Sequence, residues 1–196
     1  MDELLTIAHW SLWLCIAVLA ALVGVLRLQI AGLFGRIAPA GALMVNALLK
    51  VGQAAPRLTV SSLAGRPFSV GGPSPRSQLL LFVSPDCPIS RSLLPAVRSL
   101  PRTETWLDTV LCSDGDEVAV HRAFVQDENL DALPYLHSEA LGRAFGVSKL
   151  PYGVLIDEDG SIAAMGIVNS REHLESLFEA KERKIASVQD YLKEYR

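Results

Sequence analysis

Cys87 stands where an uninterrupted apolar run, Leu79 to Val83, gives way through Ser84-Pro85-Asp86 to a helical stretch, and Pro88 and Ser90 follow it closely. A thiol at that junction faces unsatisfied backbone N–H groups and the positive end of the helix dipole. Both favour the thiolate, which is the nucleophilic form. Pro88 is tolerated in the first turn because its missing N–H would have no intrahelical partner anyway. Cys112, at the end of a second apolar run, is the other thiol a fold could bring near; Cys15 lies in an apolar N-terminal stretch and is assigned no role. Two readings of Cys87 stay open at this level. It is a working nucleophile, or it is an inert small residue between strand and helix, since free cysteines are commonly buried and unreactive.

The elements that must position these residues follow from periodicity. Residues 51 to 196 alternate strand-like and helix-like stretches, the pattern of an α/β domain. Gly52 to Pro56 reads as a linker, and Leu58 to Leu63 with Pro67 to Val70 as a leading hairpin around Ala64-Gly65-Arg66. Leu79 to Val83 has the length and composition of a strand covered on both faces. A helix over Ile89 to Leu100 follows, with Pro95 expected to kink it, and then a strand over Asp108 to Cys112. Helices over Glu117 to Gln126 and Glu139 to Phe145 flank a short piece, Leu133 to Leu136. Leu150-Pro151 leads into a hairpin of Tyr152 to Ile156 and Ile162 to Gly166, and Ser170 is a good N-cap for a helix over Arg171 to Glu182. X-Pro bonds are cis in only about 5–6% of folded cases, so Pro151 alone does not define its isomer.

The front of the chain is a different material. Of 39 charged residues, residues 1 to 49 hold four, Asp2, Glu3, Arg27 and Arg36; the remaining 147 residues are charged at the ordinary globular frequency of about a quarter. Leu4 to Leu26 is free of charge for 23 residues, and as a helix it would reach about 35 Å, enough for a hydrocarbon core of about 30 Å. That predicts a single membrane span over residues 4 to 26, with Trp10 and Trp13 as interfacial aromatics. A cleaved signal is the rival, but its apolar core would be shorter and its leading end positive, whereas this chain starts Met1-Asp2-Glu3. Residues 28 to 49 carry Arg36 and Pro39 and read as a juxtamembrane surface segment, a second span being the alternative. The domain division expected is 1–50 for anchor and juxtamembrane segment and 51–196 for the α/β domain with a C-terminal helical tail.

A strand, a Cys-Pro-x-x helix start, a kinking proline, and a proline leading a β-hairpin and terminal helix together resemble the thioredoxin-like proteins over about residues 51 to 182. In that fold the equivalent of Pro151 is cis and lies against the reactive cysteine. The stretches GVSKLPYGVLIDEDG at 146–160, NSREHLESLFEAKE at 169–182 and SDGD at 113–116, with SPDCP at 84–88 and the apolar N-terminus, more closely resemble the MauD family of methylamine utilisation accessory proteins. That resemblance covers nearly the whole chain. It implies a membrane-anchored factor for processing, transport or maturation of the small subunit of methylamine dehydrogenase, a disulfide-rich periplasmic polypeptide, by forming or correcting its disulfides. It also implies catalytic positions at Cys87, Ser90 and Pro151, a client groove shaped by Pro88, Leu150 and Tyr152, and a membrane redox partner.

The chain departs from the family where the motif should be Cys-x-x-Cys, for it reads Cys87-Pro88-Ile89-Ser90. A dithiol attacks a disulfide with one sulfur and releases the adduct with the other, a step Ser90 cannot perform. Three outcomes stay open. Cys87 works as a monothiol resolved by an outside thiol; Cys112, at the same sheet edge if the strands are ordered as in thioredoxins, replaces the missing partner; or catalysis is lost and the domain is a non-catalytic chaperone or assembly module.

Other constellations are weak. A net charge of −3 excludes the basic footprint of nucleic-acid binding, and three cysteines are too few for a disulfide scaffold. His121, His137 and His173 show no metal-ligand spacing and read as dispersed surface residues, so no metal or cofactor is expected. Asp114, Asp116 and Glu117 read as a solvated loop and helix start, and the Lys181 to Lys184 run as an exposed helix end. A peroxiredoxin-type peroxidase is disfavoured because Leu80 stands where its proline should be. Two signals for location disagree: Arg27, Arg36 and Lys50 all follow the expected span, which taken alone puts the domain in the cytoplasm, whereas the family's client lies in the periplasm. The expectation is a single-pass inner-membrane protein with a periplasmic domain.

Overall fold

The structure is a computed structural model that describes residues 2–36, 49–115 and 117–183. It divides into two compact units, Met1–Val45 and Asn46–Arg196. In the first, one helix, α1 (Asp2–Arg36), contains the whole expected span and runs ten residues beyond Leu26, where a separate surface segment was expected. Trp10, Trp13 and the apolar side chains from Leu12 to Val25 are largely exposed, and Trp13 donates from its indole N–H to His9 Nε2 at 3.0 Å. Among the described residues no helix is long and apolar enough to cross a membrane. Pro39, the remainder of the juxtamembrane segment and the C-terminal tail beyond Arg183 lie outside the described residues.

The second unit is built on a five-stranded sheet in the order β5-β4-β3-β6-β7. Its strands are β3 (Ser77–Phe82), β4 (Leu107–Ser113), β5 (Tyr135–His137), β6 (Tyr152–Ile156) and β7 (Ile162–Ile167). β3, β4 and β5 are parallel neighbours; β6 is antiparallel to both β3 and β7. β1 (Leu58–Ser61) and β2 (Pro67–Val70) form the expected leading hairpin. The helices are α2 (Pro88–Thr103), α3 (Val118–Asp127), α4 (Glu139–Ala144) and α5 (Arg171–Arg183).

Alternation along the strands divides the core into two layers, because successive side chains point to opposite faces. Leu79, Leu81 and Val83 face one layer with Leu93, Leu94 and Val97 of α2, Phe124 of α3, and Leu174, Leu177 and Phe178 of α5. Leu80 and Phe82 face the other with Val110, Cys112, Tyr152 and Val154, covered by Leu141 of α4, Phe145 and the β1–β2 hairpin. Covering both faces explains why β3 is wholly buried and reads as an unbroken apolar run. α2 buries Ser90, Leu93, Leu94, Val97 and Leu100, the i, i+3, i+4, i+7 stripe of an amphipathic helix. Pro95 lies on the exposed side of α2, which continues as one element to Thr103.

The expected linker is partly built into the sheet edge. Gly52 N–H donates to Ile162 O, Ile162 N–H to Gln53 O and Ala55 N–H to Gly160 O, all within 2.9 Å. Gly160 has a φ of +85° and lies so close to Gly72 that a Cβ there would be 2.6 Å from a backbone carbon. That contact admits only glycine at the β6–β7 turn.

A candidate thiol site at the end of the central strands

Cys87 is the N-cap of α2, with an extended backbone, and its Sγ accepts from the Ser90 N–H at 3.4 Å. The cap uses one of the helix's orphan donors, which is why the strand-to-helix junction holds a small polarizable acceptor there. The thiol is half-buried, while Pro88 and Ile89 beside it are exposed. The preceding loop is closed by hydrogen bonds of its own: Cys87 N–H donates to Ser84 O at 3.1 Å and Asp86 N–H to Ser84 Oγ at 3.3 Å.

Ser90 is fully buried. Its hydroxyl oxygen accepts from the Ser84 N–H at 3.3 Å, so it ties the loop before Cys87 to the helix after it. Arg91 adds a clamp that sequence reasoning missed. Its Nε–H donates to Pro85 O at 2.9 Å, its Nη1 pairs with Glu128 Oε1 at 2.6 Å, and its guanidinium lies 5.1 Å from the centre of the Phe124 ring. A signal was present in the sequence: a cation in the first turn opposes the helix dipole and therefore calls for tertiary partners.

The register places Pro151 relative to this loop. Phe82 is the partner of Tyr152, so the chain leading to Cys87 and the Leu150-Pro151 segment leave the same end of adjacent strands. The Leu150–Pro151 peptide is cis, Pro151 is buried, and its carbonyl accepts from Val168 N–H at 3.0 Å. Leu150 is half-buried and Tyr152 buried in the layer that contains Phe82 and Phe145.

Cys112 sits on β4 beside Phe82, as expected for neighbouring parallel strands, and its carbonyl accepts from Val83 N–H at 2.8 Å. Its side chain, however, belongs to the layer opposite α2 and is wholly inaccessible. Burial pushes its thiol far up, towards the neutral form. Cys15, Cys87 and Cys112 are all free thiols.

The histidines correct an expectation. His121 and His137 are not dispersed on the surface: His121 is fully buried, its ring centre lies 4.3 Å from that of His137, and its Nδ1 is 2.9 Å from Tyr135 Oη. α3 and β5 bring them together, a pairing that no spacing in the sequence announces. Among the described residues no group of three or more metal-ligating side chains forms. Lys181 is likewise no free helix end. Its ammonium contacts Asp157 and Glu158 at 3.0 and 2.7 Å and Ser77 Oγ, and stands 4.6 Å from the centre of the Trp106 ring.

A parallel-and-antiparallel five-stranded sheet with a cysteine capping the helix after its central strand and a cis-proline at the adjoining strand defines a thioredoxin-like protein. Solved structures agree on the fold. A secreted disulfide oxidoreductase of Mycobacterium tuberculosis is 20% identical with a TM-score of 0.53, covering 63% of this chain and 95% of that one. A thiol:disulfide interchange protein of Chlorobium tepidum is 18% identical with a TM-score of 0.56, covering 65% and 94%. A peroxiredoxin-like protein of Aquifex aeolicus is 20% identical with a TM-score of 0.56, covering 68% and 87%.

The chain belongs to the MauD family. It is 43% identical to the methylamine utilization protein MauD of Methylophilus methylotrophus over 94% of its length and 86% of the relative's. Identity to the MauD of Methylobacillus flagellatus is 44%, over 94% and 88%, and to that of Paracoccus denitrificans 38%, over 98% and 96%. The chain matches no protein-family model.

Proposed function

We propose that this protein is a membrane-tethered thiol factor of methylamine utilisation that corrects disulfides in a periplasmic client, the small subunit of methylamine dehydrogenase. The observation that carries the chemistry is the half-exposed Cys87 thiol at the N-terminus of α2, capped by the Ser90 N–H and flanked by the exposed Pro88 and Ile89. Membership of the MauD family supports the biological setting, and the uncharged run inside α1 supports the anchor.

The thiolate of Cys87 attacks one sulfur of a client disulfide. A Cys87–client S–S bond forms, the client's own S–S bond breaks, and the departing client sulfur takes the electron pair. A second client thiolate then attacks the client sulfur of the adduct, forms a different client disulfide and expels Cys87 as thiolate. Electrons balance within the client, so correction needs neither a second motif cysteine nor an outside oxidant. Ser90 serves by fixing the loop, not by resolving the adduct. Cys112, buried on the far side of the sheet, is read as core. Pro151, with Leu150, Tyr152 and the exposed Pro88, shapes the groove that holds the client.

Ser90 also favours a second reading, a holder that binds the client without exchange. The two separate cleanly in cells that depend on this chain for an active dehydrogenase. Exchange predicts that Cys87→Ala abolishes maturation and that a client adduct accumulates on Cys87 when client thiols are blocked. If Cys87→Ala supports full maturation while Ile89→Asp, beside the thiol, does not, the holder is right and exchange is wrong.

A further inference from the structure

A cavity of about 510 Å3 opens between the β1–β2 turn and the segment joining α3 to β5, and none of its lining residues belongs to the Cys87 site. Its walls come from segments far apart in the chain but fastened together. Leu63 N–H donates to Tyr135 O at 2.9 Å, and Ser62 bridges to Leu136, so the hairpin end is fixed against the outer edge of β5.

Three kinds of chemistry meet there. Half-buried Leu63, Phe68 and Val125 give an apolar lining. Arg66, from the hairpin turn, and Arg122, from the first half of α3, line the same space; both are exposed, and neither guanidinium has a carboxylate or hydrogen-bond partner among the described residues. Asp131 lines it too, and its carboxylate is equally unpartnered among the described residues.

We propose that this cleft binds an extended peptide segment of a partner protein that carries a carboxylate side chain next to an apolar one. Two guanidinium forks, one from the hairpin turn and one from α3, suit the planar geometry of a carboxylate. Asp131 is an acceptor only, so it suits an N–H of the peptide; a bare inorganic anion offers neither that amide nor an apolar side chain. The apolar lining takes the neighbouring side chain, and the volume falls in the range of about 300–1,000 Å3 typical of ligand sites. The cleft would therefore add a second contact to a partner independently of any exchange at Cys87.

Fluorescence anisotropy with the full chain in detergent micelles tests this. The probe is fluorescein-labelled Ala-Glu-Phe-Glu-Leu-Ala, set against the same peptide with both Glu replaced by Gln. The acidic peptide should bind, with Arg66→Gln and Arg122→Gln each weakening it about tenfold. The Gln peptide should bind far less, inorganic phosphate should not compete at equal concentration, and Cys87→Ser should bind as the parent does. Both arginines are exposed and unpartnered, so the variants should keep the parent's thermal unfolding. Absence of binding, unchanged binding in the arginine variants, equal binding of the Gln peptide, or effective competition by phosphate would each overturn the proposal. Loss of binding in Cys87→Ser would also overturn it, by placing the peptide at the thiol instead. Failure of exchange at Cys87 would leave the proposal standing.

Discussion

The Ser90 hydroxyl is fully buried and accepts from the Ser84 N–H, so the position that a dithiol motif gives to a resolving sulfur here holds the Cys87 loop in place. Its backbone N–H still faces Cys87 Sγ at 3.4 Å. That proximity predicts that Ser90→Cys gives Cys87 a partner: thiol titration should show a reductant-reversible loss of both motif thiols, absent from the parent. Cys112 should behave oppositely. Burial keeps its thiol neutral through the neutral pH range, so it should resist alkylation until the protein unfolds. Cys112→Ala should cost roughly 1 kcal/mol of stability through lost contacts. Cys112→Ser should cost more, about 1–3 kcal/mol, because a hydroxyl replaces sulfur among Phe82, Leu136 and Phe145; urea unfolding midpoints measure the difference. That Cys87 stands at a helix start and Cys112 near the end of a strand was legible in the sequence. The side of the sheet that each thiol faces was not, because one residue of register reverses it.

Between elements, Lys181 fastens α5 to the start of β3 and to the β6–β7 turn, with Trp106 beneath it. Hydrogen bonding with the Asp157 side chain, and then with the Lys181 ammonium, holds the Glu158 carboxyl well below the usual range, at about 2. A carboxyl whose folded value is depressed stabilises the protein above its unfolded value and loses that contribution as pH falls through the folded one. Glu158→Gln should therefore lower the melting temperature above about pH 4.5, and the gap from the parent should close as pH falls towards 2. With Glu158 45% exposed, the effect should be no more than about 1 kcal/mol. The α5 helix itself was readable from its N-terminal serine and apolar spacing, but the clamp was not. It joins residues 77, 106, 158 and 181, and local propensity carries no information about such separations. The same holds for Arg91, whose hydrogen-bond partners lie on the preceding loop and at the C-cap of α3.

For the whole molecule, the proposed anchor and client carry a prediction about where the second unit works. Arg27, Arg36 and Lys50 follow the apolar run and favour the cytoplasm, whereas the proposed disulfide exchange on a secreted client needs the periplasm. An alkaline phosphatase fused after Arg196 should be active, and the full chain should stay with membranes through a carbonate wash. An inactive fusion would place the domain in the cytoplasm and defeat the disulfide reading; release by carbonate would remove the anchor.

Composition and periodicity alone divided an almost uncharged front from an ordinary α/β domain, located four of the five strands of the central sheet to within a few residues, and picked out Cys87 at a helix start. These are local properties, set by side-chain spacing and by the chemistry of helix ends. Tertiary structure alone decided that Cys112 faces away from α2, that the rings of His121 and His137 meet, that Lys181 is engaged, and that the expected linker joins the β7 edge. Each of these depends on which segments the fold brings side by side, and that is set by strand order and register over the whole sheet.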